Sequence, residues 1–151
     1  MAVIFSIFPL ILLPVGIYAI MGFAAGSDPA AFRAGLEQIW FHVPMASRED
    51  NVAGANQIVQ WAVTRGDGLV LAGLLLLFIE LLKSTSTGTA AIFNHALSML
   101  VFIICLVAFL LHPAFATTTF FLIMTMSLLD VLAGVVVTII SARRDVEFGS
   151  Q

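Results

Sequence analysis

The chain has 151 residues, of which 61% are apolar and only 10% charged, and its formal net charge is −3. Soluble domains carry about a quarter charged residues, and a fold of this size leaves much of its chain exposed, so water is excluded as the solvent for so much apolar surface. The composition predicts a single membrane domain, 1–151, and with no basic patch it does not suggest a nucleic acid partner.

The first apolar run, about 2–23, carries no charge. It lacks the positive n-region of a secretory signal and is long for an h-region, so it is read as a retained span, with Ala24-Ala25-Gly26 only a weak cleavage site. Residues 24–67 form the one sizeable loop. Asp28-Pro29 has the form of an N-cap followed by proline at the first helical position, and Phe32, Leu36, Ile39 and Trp40 recur at helical spacing, which predicts a short amphipathic helix. Phe41, Val43 and Met45 then alternate, as do Val59, Trp61 and Val63, around a polar stretch from Ser47 to Gln57. That pattern predicts a β-hairpin with a long tip, against a competing second amphipathic helix over Val52 to Val63.

Three further spans are expected at about 68–82, 91–111 and 118–141, with Asp67 as the cap of the first of them. The connections 83–90 and 112–117 are short and favour antiparallel neighbours, so the last three spans are read as a tight up-down-up unit. The expected fold is an all-α membrane protein, a four-transmembrane-helix up-down bundle with a small extracytoplasmic region between its first two helices. Helices are required because an open strand leaves backbone groups unpaired in hydrocarbon. Lys83, Arg143 and Arg144 lie near span ends on one side, against Arg33, Arg48 and Arg65 on the other. The positive-inside rule then favours cytoplasmic termini, with Trp40 and Trp61 at the outer interface.

Chemistry is confined to a few polar residues. Asn94, Ser98, Val101, Cys105, Ala108 and His112 share one stripe of the third span, and Ser127, Asp130, Gly134, Thr138 and Ser141 one stripe of the fourth, while Gly73 and Glu80 share a face of the second. Small residues let membrane helices approach and polar ones bond between them, so the stripes are expected to face one another. Asp130 lies about 11 residues from either end of its span, where a carboxyl is expected to be neutral or partnered. Its expected partners are Ser98 or the carbonyl of Leu10, freed by Pro14 in mid-helix. Interhelical glue is the plain reading of Asp130, and proton or ligand handling the sharper one. Glu80 reads as an interfacial ion pair with Lys83, or as a site with Asn94 and His95 that binds a headgroup or relays protons.

No metal or cofactor is expected. His95 and His112 are about 25 Å apart by helical rise. The sequence has no HxxxH, HExxH, GxSxG, CxxC or Gly-rich phosphate loop, and Cys105 is its single cysteine.

The segments GDGLVLAGLLLLFIELLKSTSTGTAAIFNHALSMLVFI, HPAFATTTFFLIM and LLDVLAGVVVTIISARRD resemble a family of small, uncharacterised bacterial four-helix inner-membrane proteins. The resemblance implies a bacterial inner-membrane location and assigns no activity and no site residues. Characterised four-helix families fit less well. The first span has no charge where small multidrug transporters place a glutamate, vitamin K epoxide reductase-like proteins need a CxxC, and claudin-like proteins share only the layout.

The function expected is therefore non-enzymatic: an accessory or assembly subunit of a larger inner-membrane complex, with the lipid bilayer and other membrane subunits, or a second copy, as partners. The alternatives are a small proton-coupled transporter or channel using Asp130 and Glu80, and a membrane enzyme or lipid-binding protein using Glu80, Asn94 and His95.

Overall fold

The structure, a computed structural model, describes residues 8–26, 28–45, 60–83 and 89–148. In chain order its elements are α1 (Leu12–Ala24), α2 (Pro29–Glu37), β1 (Ile39–Pro44), β2 (Gln60–Thr64), α3 (Arg65–Lys83), α4 (Thr89–Leu111) and α5 (Thr118–Phe148). The chain is mostly helical with one two-stranded antiparallel sheet.

Local sequence accounts for the boundaries. Pro14 stands in the first turn of α1, where its missing N–H costs no helical hydrogen bond, and not in mid-helix as a start near residue 2 implies. The Leu10 carbonyl is not free, since it accepts from the Leu13 N–H at 3.0 Å. Residues 1–7 of the expected first span lie outside the described residues. Asp28 caps α2 by accepting from the N–H groups of Ala30 and Ala31 at 3.0 and 3.1 Å, with Pro29 at the first helical position. The alternating residues pair as the pattern requires, Phe41 opposite Val63 and Val43 opposite Trp61. The polar tip, 46–59, lies outside the described residues.

Helix α3 starts three residues before its expected first residue, Gly68. Thr64 is the cap: the Asp67 N–H donates to Thr64 Oγ1 at 3.1 Å, while Asp67 Oδ2 accepts from the Thr64 N–H at 2.9 Å and its hydroxyl at 2.8 Å. Asp67 thus closes a reciprocal capping box from the third helical position rather than capping alone.

Helix α5 is the common partner. It packs against α4, α3 and α1, whereas α3 and α4, consecutive in the chain, share little contact. This corrects the expectation of a tight three-helix unit. Small residues permit the close approaches. A Cβ added at Gly73 would meet Met126 of α5 and Pro14 of α1, and one at Gly66 would strike Thr119. At the end of the molecule that carries the sheet, the buried Tyr18 ring packs on Phe32, Phe115 and Phe120. Its hydroxyl donates to the Ala114 carbonyl at 2.9 Å and bonds Thr117 Oγ1 at 2.5 Å.

Two helical stretches, Ile92–Leu111 and Thr118–Ile140, are long and apolar enough to cross a membrane. Helix α1 is apolar but only 13 residues long, and the 19 residues of α3 include Arg65, Asp67, Glu80 and Lys83. The distribution of side chains is inverted relative to a water-soluble fold. Ile20 and Phe23 on α1, Leu75 and Phe78 on α3, Leu110 and Leu111 on α4, and Leu132 and Val136 on α5 are exposed, whereas Glu80, Asn94, Ser98, Ser127 and Asp130 are buried.

Candidate functional site

The buried polar residues form two neighbouring groups. The first is centred on Glu80, which is fully buried in the last turn of α3. Its carboxyl accepts from the Leu10 N–H at the start of α1 (2.8 Å) and from the Asn94 amide of α4 (2.6 Å), and it pairs with Lys83 on the next turn of its own helix (2.9 Å). Lys83 Nζ also donates to the Phe8 carbonyl at 2.9 Å. One carboxyl therefore ties together three chain segments, including the N–H of Leu10 in the turn that leads into α1. Ion pairing with Lys83 was legible from the i, i+3 spacing. The burial was not, because residues 8–10 come from a distant part of the chain and cover the pair.

The second group lies in the seam between α4 and α5. Ser98 Oγ donates to Asp130 Oδ2 at 2.6 Å, and both residues are fully buried. On the next turn His95 lies directly against Gly134, so closely that a Cβ at 134 would collide with the ring. Among the described residues, Asp130 Oδ1, Ser127 Oγ and both ring nitrogens of His95 are buried without a hydrogen-bond partner. Glu80, His95 and Lys83 are the charged or titratable groups within electrostatic reach of Asp130.

Of the residues singled out from the sequence, Glu80 is thus joined to Asn94, and Asp130 to Ser98. No hydrogen bond joins His95 to Glu80 or Asn94. Of the two stripes, Asn94, Ser98, Val101 and Cys105 on α4 and Ser127, Asp130 and Gly134 on α5 are buried. Thr138 is exposed and donates to the carbonyl of Gly134, and the side chain of Ser141 lies outside the described residues. Sequence reasoning missed Tyr18. The available signal was the single tyrosine of the chain inside an uncharged apolar run, where a hydroxyl needs a partner.

At the sheet-bearing end, an open cleft of about 380 Å³ lies between α2 and the first turns of α3 and α5, with Arg33, Glu37, Asp67, Thr118 and Thr119 in its wall. Arg33 is engaged there through a donor bond to the Pro113 carbonyl at 3.2 Å. Among the described residues, no three His, Cys, Asp or Glu side chains are grouped so as to hold a metal ion.

Comparison with known proteins returns no matching family model, no matching curated protein and no matching solved structure. Function must therefore be argued from the geometry.

Proposed function

We propose that this chain is a four-span integral protein of the bacterial inner membrane, with both termini cytoplasmic, that serves as a non-enzymatic accessory or assembly subunit of a larger membrane complex. The observation that carries the reading is the side-chain distribution of α1, α3, α4 and α5, with large apolar residues exposed and Glu80 and Asp130 buried. Such a surface suits hydrocarbon, where interhelical hydrogen bonds and close packing hold helices together. Helix α1 is uncharged, and α3 turns Glu80 inward and carries Lys83 at its end. The subunit role is supported by α4, which is packed mainly on α5 and leaves Phe93, Leu100, Ile104 and Leu110 outward for a neighbouring helix. It is also supported by the use of Glu80 and Asn94 as ties between helices.

Affinity purification of the full chain from membranes in mild detergent tests the role. A membrane protein recovered in constant stoichiometry is the expected result. A chain that elutes alone at every detergent concentration contradicts it. One observation favours a second reading, a small proton-coupled transporter or channel. Asp130 Oδ1, the His95 ring nitrogens and Ser127 Oγ are buried without a hydrogen-bond partner among the described residues, and ionisable residues buried inside membrane proteins commonly mark proton paths. Proton flux into vesicles holding the purified chain, abolished by Asp130→Asn, would select this reading.

A further inference from the structure

Asp130 and His95 stand on facing helices with unmet hydrogen-bonding capacity. Asp130 is fully buried, and only one of its carboxyl oxygens is bonded. An imidazole carries at least one N–H donor, and both ring nitrogens of His95 are buried without a hydrogen-bond partner. The ring is held against Gly134 and cannot swing across the seam without moving α5. Buried polar atoms are rarely left bare, because each costs the desolvation of the group with no return.

The spacing of the two contacts supplies the remedy. His95 and Ser98 are three residues apart on α4, and Asp130 and Gly134 four apart on α5. Ser98–Asp130 and His95–Gly134 are therefore adjacent rungs of an antiparallel seam, separated by about 4.5–6 Å of helical rise. Across adjacent rungs one water oxygen can bond to both side chains. A buried water needs two to four polar partners, and the Asp130 carboxyl and the His95 ring furnish two of them.

We propose that the α4–α5 seam binds an internal water that bridges the free carboxyl oxygen of Asp130 to a ring nitrogen of His95. The site is distinct from the Glu80 tie, whose carboxyl already has its partners. It stands whether the chain is a subunit or a proton carrier, and it gives Asp130 a hydrogen-bonded connection to a second group able to hold a proton.

A crystal structure of the full chain that resolves ordered water tests the site directly. Density within hydrogen-bond distance of both Asp130 Oδ1 and a His95 nitrogen is expected, and a dry seam overturns the proposal. A double-mutant cycle on thermal unfolding in detergent tests the coupling. Asp130→Leu and His95→Phe each strand the water and the remaining partner, whereas the double variant removes both ends of the bridge, the loss of the Ser98 bond being common to Asp130→Leu and the double variant. The double variant is therefore expected to lose less than the sum of the single losses, by roughly 2–4 °C. Additive losses overturn the bridge.

Discussion

Glu80 shows how far one side chain departs from what its neighbours in sequence suggest. A Glu–Lys pair three residues apart near a helix end reads as an exposed pair worth about 0–1 kcal/mol. Full burial and bonds to Leu10 and Asn94 change that expectation. Glu80→Ala leaves the buried Leu10 N–H and Asn94 amide without their acceptor and removes a buried ion pair, and should lower stability by about 3 kcal/mol or more. Glu80→Gln retains an acceptor oxygen and should cost less. An unfolding midpoint in detergent that is the same for wild type and Glu80→Ala would contradict the tie. Asp130 was legible as a buried carboxyl because a lone acid in an apolar run must face inward, and Ser98 followed from the facing stripe. Its proposed second partner, the Leu10 carbonyl, was wrong because Pro14 belongs to a first turn. Asp130→Asn keeps both shape and hydrogen-bonding capacity and should leave helix association nearly intact, whereas Asp130→Leu should cost roughly 1–2 kcal/mol. Equal losses in the two variants would argue that the charge, and not the hydrogen bond, matters at this position.

Elements were more legible than their neighbours. Apolar period and turn residues located α2, α3, α4 and the paired strands to within a few residues, because capping and strand alternation are local effects. By contrast, α1 starts at Leu12 rather than near residue 2, α5 runs on to Phe148 rather than stopping near 141, and Ile39 and Trp40 lie in β1 and not in the amphipathic helix. The Thr64–Asp67 capping box shifted one boundary for the same kind of local reason. Which helix packs against which was not legible. Short connections placed α3, α4 and α5 together, but connection length says nothing about how much surface two consecutive helices share, and the small residues that set contact distances lie on several faces. Gly73 is the sharpest test of the observed arrangement, since Met126 and Pro14 both crowd it. Gly73→Val should force α1 and α5 away from α3 and lower stability by about 1–3 kcal/mol, as overpacking does elsewhere. A variant as stable as wild type by thermal unfolding would mean that the three helices do not meet at this point.

For the molecule as a whole, composition alone points to a membrane environment, and two helical stretches long and apolar enough to cross a membrane agree with it. Orientation rests on six basic residues and is open to a direct test. Cysteine labelling at Asp50 and at Ser86, both outside the described residues, should report opposite sides of the membrane, with Ser86 cytoplasmic. Modification of both from the same side would refute the four-span arrangement. The central place of α5 also has a consequence for how the protein is made. Ribosomes deliver α1, α3 and α4 before the helix that packs on all three, so Ser98 is made before Asp130, the residue that accepts its hydrogen bond. A nascent chain stopped before Thr118 has no keystone, and quality-control proteases should recognise it as an orphan. Closure of the α4–α5 seam therefore waits on the synthesis of α5.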